Sequence, residues 1–322
     1  MNTSLGRRTL GVTLAATVIQ LVMVVAFGWP AARSAPHDLP IAVAGPQSAA
    51  VADRLARQGG FEIAVLPDEA AARRAVTDRD AYGAIVTTPA GPKVLVASAA
   101  SPQVAQQIGQ YAATLSGAPR PPVTDVVSAG PHGTAFGTMV LPLVMSGIAA
   151  AVLLTLVIPA LAWRLAGLVG FAVLGGLGVS ALAQGWLDIL DGSYLTVAAA
   201  MALTILAVTG TVVGLAGVIG RPGIGVGALT MLLLGNPLSG ASSAPELLPE
   251  PWGDLGQLLP PGAGATLLRS YGYFDGAGAG GSLAVLGVWA AVAVALILVA
   301  ALRDRSRTGG ESADAGAPAL VG

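Results

Sequence analysis

Residues 9–29, TLGVTLAATVIQLVMVVAFGW, hold no charged side chain and follow directly on Arg7 and Arg8. A helix needs about 20 apolar residues to cross the hydrocarbon of a bilayer, and this run supplies them. A cleaved signal peptide has a shorter apolar core followed by small residues at the cleavage positions. Pro30 and Arg33 occupy that region here, so an uncleaved anchor is expected. Thr9, Leu10 and Gly11 fit a twin-arginine export signal poorly, which leaves the arginine pair as a topology signal.

The composition agrees with a membrane chain: 54% of the 322 residues are apolar and only 10% are charged. Net charge is −1 and the sixteen Lys and Arg are scattered, which is no footprint for nucleic acid. With no cysteine there are no disulfides, thiolates or Cys-ligated metals. His37 and His132 each sit beside proline without partners at ligand or triad spacing, so both read as solvated loop residues and no metal or cofactor is expected. The chain's one lysine, Lys93, follows Pro92 rather than glycine, so there is no phosphate-cradling loop and this chain is not itself an ATPase.

Further apolar runs recur at residues 136–162, 165–185, 195–220, 223–238 and 283–302, giving six expected spans. Arg164, Arg221 and the group Arg303, Arg305 and Arg307 fall at one set of ends. The loop 186–194 at the other end carries Asp188 and Asp191 and no basic residue. The positive-inside rule then places both termini in the cytoplasm of a multi-pass plasma-membrane protein, with the polar region between spans 1 and 2 outside. The fifth run is short, glycine-rich and ends at Asn236-Pro237, where a helix is interrupted. It either stops within the bilayer or closes as a short helix at the interface. The pairs Gly210 with Gly214 and Gly223 with Gly227 are packing signals between helices.

Between Pro36 and Val127 short apolar runs alternate with helical stretches, the pattern of a small α/β unit. Strands are expected at 39–44, 61–66, 82–87, 93–97 and 123–127, and helices at 48–57, 69–76 and 102–115, with parallel pairing through the helical crossovers. Pro119–Pro122 reads as a stiff connector. Asp53, Asp68, Glu69, Asp78 and Asp80 alternate with Arg54, Arg57, Arg73, Arg74 and Arg79, as on a solvated helix face, and no catalytic set emerges.

Residues 235–281 read GNPLSGASSAPELLPEPWGDLGQLLPPGAGATLLRSYGYFDGAGAGG. Leu247, Leu248, Trp252, Leu255, Leu258 and Leu259 are too apolar for a free loop, so one or two amphipathic helices at the outer interface are expected. The domain plan is therefore 1–8 cytoplasmic, 9–30 first span, 31–135 extracytoplasmic α/β domain, 136–238 spans 2–5, 239–281 outer re-entrant or interfacial helices, 282–302 sixth span and 303–322 a disordered cytoplasmic tail. In class the chain is an α-helical integral membrane protein with an inserted α/β domain.

This organisation resembles the type-2 ABC exporter permease superfamily, in its branch related to the phage-infection-protein-like membrane proteins. The resemblance rests on a first span, a large outer domain and five further spans, together with the runs 237–240 (PLSG), 245–249 (PELLP) and 259–262 (LPPG), Arg269, and the strand-like Ala81-Tyr82-Gly83-Ala84-Ile85-Val86. It implies outer helices re-entering between the last two spans, with Asn236, Pro237, Gly240, Glu246, Pro249, Pro260, Pro261 and Arg269 as the candidate site. It also implies that Arg269 fixes that segment through Glu246, Glu250 or Asp254. A homodimer or heterodimer and a separate ATP-binding subunit follow from the same resemblance; an amphiphilic or lipid-like cargo is expected because the spans offer a hydrophilic solute only isolated hydroxyls and amides.

The chain departs from the family at its cytoplasmic face, where only residues 1–8 and a turn around Trp163 and Arg164 are available to a motor protein. The spans hold no ionisable side chain well inside them for proton coupling. Their polar residues are Gln20, Thr155, Ser180, Gln184, Thr204, Thr209 and Thr211. A transporter would line a pathway with them, whereas an envelope scaffold or receptor would bury them between helices. Gly175, Gly176, Gly178 and Ser180 either line a shallow groove or pack against a neighbouring helix.

Overall fold

Short apolar runs bounded by glycine, proline and polar residues produce five short strands after the first helix among the described residues. The computed structural model describes residues 3–116 and 121–314. Helix α1 (Thr3–Ala32) leads to β1 (Leu39–Ala44), α2 (Ser48–Gln58), β2 (Phe61–Leu66), α3 (Glu69–Thr77), β3 (Gly83–Thr88), β4 (Gly91–Val96), α4 (Pro102–Ser116) and β5 (Val123–Asp125). The strands form one sheet in the order β2-β1-β3-β4-β5, parallel except for the β3–β4 hairpin. Val104, Ile108 and Ala112 recur every fourth residue along α4, and all three are buried in a core with Leu39, Ile41, Val43 and Ile85. Asp68 caps α3 by accepting a hydrogen bond from the Ala71 amide at 2.7 Å, and Glu69 pairs with Lys93 and Arg73. The Pro119–Pro122 connector lies partly outside the described residues.

The remaining elements are α5 (Phe136–Val157), α6 (Leu161–Gly185), α7 (Tyr194–Ile219), α8 (Arg221–Leu229), α9 (Trp252–Gln257), α10 (Pro260–Tyr273) and α11 (Ala279–Asp314). The chain is mostly helical, and among the described residues five helices are long and apolar enough to cross a membrane: Leu5–Ala32, Gly133–Val157, Leu161–Gly185, Tyr194–Ile219 and Ala279–Arg303. That is the build of a multi-pass membrane protein. The run expected as the fifth of six spans is only the shorter apolar helix Arg221–Gly235. At 1.5 Å per residue it reaches about 22 Å, short of the ~30 Å hydrocarbon thickness. Its last part, Thr230–Gly235, is a π-helix, and Pro237 follows one residue later.

Two further boundaries differ from the expected ones. The break between α5 and α6 falls at residues 158–160 rather than at Arg164, because Pro159 has no amide hydrogen and holds Ile158 in extended backbone. Arg164 lies inside α6 and its Nε donates to the Ile158 carbonyl at 3.0 Å, satisfying the end of α5. The segment from Arg303 on, expected to be disordered, stays helical as far as Asp314. No proline interrupts it, and extending an existing helix is far easier than nucleating one. Residues 315–322 lie outside the described residues.

By contacts the chain divides into two compact units. One joins the residues up to Ala129 to Leu232–Leu258, and the other joins Gly130–Met231 to the residues from Leu259 on. The second unit is a helical bundle centred on α7, whose side chains are buried on nearly every face between Val197 and Ala216. A Cβ on Gly210 would meet Ala293 at 3.0 Å, and one on Gly214 would meet Leu296 at 2.8 Å, so these glycines seat α11 on α7. Gly223 and Gly227 seat α8 against Leu215 and Val212 of the same helix.

Candidate functional site

The eight candidate residues fall into two separate bodies. Asn236, Pro237, Gly240, Glu246 and Pro249 belong to the α/β unit, whereas Pro260, Pro261 and Arg269 belong to the bundle. No charge run or break in composition marks this division between Leu258 and Leu259.

In the α/β unit, residues 236–258 form a strap built from two short 3-10 helices, Pro237–Ser239 and Pro245–Leu247, followed by α9. Leu247 and Ala244 are completely buried in the core of the sheet, not in an interfacial helix as expected. Leu248 is also buried, while Trp252, Leu255 and Leu258 are exposed. Backbone bonds run from the Ala35 amide to the Leu247 carbonyl at 3.1 Å and from the His37 amide to the Glu246 carbonyl at 2.8 Å. The Tyr82 hydroxyl donates to Glu246 Oε2 at 2.7 Å. Glu246 is thus engaged with the sheet. Burial lowers the ordinary value of the nearby Arg79 guanidinium, and the Tyr82 and Glu246 groups oppose that shift. Trp252 meets Trp29 of α1 edge to face, with ring centroids 6.2 Å apart.

Between the strap and the sheet lies a cavity of about 470 Å³. Its walls include His37, Asp38 and Glu62 from the sheet side and Glu246, Glu250 and Asp254 from the strap. His37 differs from the expected solvated loop residue, because its Nδ1 is buried and has no hydrogen-bond partner. Among the described residues no group of three or more His, Asp or Glu is placed to hold a metal ion.

In the bundle, α10 begins halfway along α7. A Cβ on Gly264 would press on Thr204, ten residues or about 15 Å past the start of α7 at Tyr194. At its other end α10 meets the α6–α7 connection. Gly272 lies against Leu190, Gly192 against the Tyr271 carbonyl, and the Tyr273 hydroxyl donates to the Ile189 carbonyl. After residues 274–278 the chain turns back into α11, so α10 and α11 make a helical hairpin with one short arm. Arg269, 4% exposed, sits over the Phe136 ring with its guanidinium carbon 4.8 Å from the centroid.

Between α5, α7 and α10 runs an apolar cleft lined by Val140, Val144, Thr204, Val208, Pro261 and Gly264, among others. Its volume is about 20 Å³, room for little more than one water molecule. The polar residues of the spans do not converge on it as a path. Thr204 and Thr211 bond back to the Ala200 and Ala207 carbonyls of their own helix, and Gln184 bonds to the Asp191 and Gly192 carbonyls. The Oγ atoms of Ser180 and Thr209 are buried without a partner. Gly175 lies against Ile205 and Gly176 against Ala198 and Ala202, so both pack on α7 rather than lining a groove, whereas Gly178 faces open space.

Burial pushes the Tyr273 phenol up to about 12, with Asp191 and Asp188 adding to the rise and Arg269 opposing it. A phenol in the unfolded chain ionises near pH ~10. The native state therefore holds this proton more tightly, and its contribution is complete below pH ~10 and lost as pH climbs towards 12. Tyr273→Phe is expected to flatten the decline of bundle stability across that window. Thermal unfolding measured from pH 9 to 12 checks it, and an unchanged alkaline slope would disprove the assignment.

No protein-family model, curated protein or solved structure matches this chain.

Proposed function

We propose that the chain is a permease-like membrane subunit that moves an amphiphilic or lipid-like compound outward, energised by a separate ATPase and working as a homodimer or heterodimer. The observation that carries this reading is α10, a buried helix that starts halfway along α7 and walls a cleft with α5 and α7. This is the kind of re-entrant element the resemblance implies. An amphiphile suits such walls. A hydrophilic solute would leave several kcal/mol uncompensated at each unpaired polar group, whereas an amphiphile keeps its tail in apolar surroundings. The cleft is closed in this conformation, so transport requires α10 to move.

The test is reconstitution in vesicles, with a candidate ATPase, of labelled lipid-like and water-soluble compounds. Outward movement of amphiphiles is expected; movement of sugars or ions alone would refute the cargo class. A second reading, an envelope scaffold or receptor, draws on the acid-lined cavity of the α/β unit, and movement of nothing would favour it.

The same reading places both termini in the cytoplasm of a plasma-membrane protein and the α/β unit outside. Because the chain has no cysteine, single substitutions report topology cleanly. Gln103→Cys is expected to react with an impermeant maleimide added to intact cells, and Ser312→Cys to react only after lysis. Reversed labelling would overturn the orientation drawn from Arg164 and Arg221.

A further inference from the structure

The strap of residues 236–258 has an arrangement that a passive surface loop does not need. Its middle is fastened to the sheet by the Tyr82–Glu246 hydrogen bond, two backbone bonds and the buried side chains of Ala244 and Leu247. Its two ends are continuous with helices of the bundle. Upstream it leaves α8 through the π-helix Thr230–Gly235, and downstream Leu259 leads straight into α10. A π-helix carries an extra residue per hydrogen-bonded turn, and such segments mark places where a helix shifts register. The first six residues of α10, Pro260–Ala265, are all buried, and three of them, Pro261, Gly264 and Ala265, wall the cleft.

We infer that the strap is a transmission element: displacement of the segment pinned at residues 244–247 is taken up at one end by the π-helix and passed at the other to α10, opening the cleft. The purpose assigned to that opening rests on the permease reading, but the motion does not. Packed helices move as units, so a pull at Pro260 shifts Pro261, Gly264 and Ala265 together along α5 and α7. Changes in the α/β unit are in this way read out in the bundle through the covalent join between Leu258 and Leu259.

The experiment uses the full chain in detergent or nanodiscs, with Ala265→Cys as reporter in the cleft wall and Ala172→Cys, buried in α6 away from the cleft, as control. The pin is loosened by Tyr82→Phe and, separately, by Leu247→Ala. Hydrogen exchange of residues 237–248 is expected to quicken at least about tenfold, the factor implied by losing one hydrogen bond to a charged acceptor. Maleimide labelling of Ala265→Cys is expected to rise by a similar factor and that of Ala172→Cys to stay within about twofold. If neither variant quickens strap exchange, the pin does not hold. If exchange quickens and Ala265→Cys labels as before, or both reporters rise together, nothing is transmitted through α10. Each of these results overturns the proposal. No cargo is needed, so failure here is distinguishable from failure of the transport reading.

Discussion

Leu247→Ala is expected to destabilise the α/β unit by about 2–5 kcal/mol, the range for emptying a fully buried leucine site. Leu247 has no exposed surface and packs in one core with Leu39, Ile41, Val94 and Ile108, residues more than a hundred positions away along the chain. If the strap is part of that core, the loss is felt by β1 and β3 and not only by the strap. Amide exchange in both strands then accelerates by at least about thirtyfold, at 1.4 kcal/mol per factor of ten. Leu258→Ala, removing a side chain that is 58% exposed, is the matched control and is expected to change strand exchange little. Wild-type exchange at β1 and β3 in Leu247→Ala would mean that the strap rests on the sheet without contributing to its core.

That integration was illegible in the sequence for a physical reason. A proline-leucine run such as 245–249 announces burial but not its destination, and the deciding contact, Tyr82 to Glu246, joins residues 164 apart. The α/β elements themselves were legible to within a residue or two. Each strand is a short apolar run between breakers, and each helix shows its buried stripe at the helical period, as with Val104, Ile108 and Ala112. The long spans were equally plain. A charged residue is a poor marker of a loop by itself. Arg164 looked like a connection between spans, yet Pro159 sets the break and the arginine reaches back to cap α5.

The bundle shows the same limit from the other side. Gly210 with Gly214 and Gly223 with Gly227 announced close packing, but only the structure assigns their partners as α11 and α7. Arg269 reads from the sequence as an interfacial anchor or a clamp on the re-entrant segment, whereas the structure buries it over an aromatic ring. Its aromatic partner, Phe136, carries no charge and so gave no signal to a search for acids. The halfway start of α10 likewise depends on Gly264 meeting Thr204, which no local pattern announces.

The strap's own internal packing predicts the sharpest mutational effect, Gly256→Ala. Gly256 lies within α9, where alanine is ordinarily the better residue by about 1 kcal/mol, so propensity alone predicts stabilisation. A Cβ at this position would fall well inside contact distance of the Leu238 carbonyl oxygen, and one on Gly253 would do the same to the Pro245 carbonyl. Neither carbonyl is free to yield. Leu238 lies in the 3-10 turn Pro237–Ser239, closed by the Ser239 amide bonding to Asn236 and tied to α9 by Gln257 Nε2 donating to the Ser239 carbonyl at 3.0 Å. The clash therefore opposes and exceeds the helix preference, and Gly256→Ala is expected to cost about 3 kcal/mol, at the upper end for overpacking. Gly225→Ala supplies the contrast of sign, since nothing lies within 4 Å of a Cβ there and the substitution in α8 is expected to be neutral or mildly stabilising. Hydrogen exchange and limited proteolysis across residues 237–257 read the first effect, and thermal unfolding of the bundle reads the second. Protection of the strap in Gly256→Ala equal to that of the unmodified chain would show that α9 and the turn at Pro237–Ser239 are not packed as described.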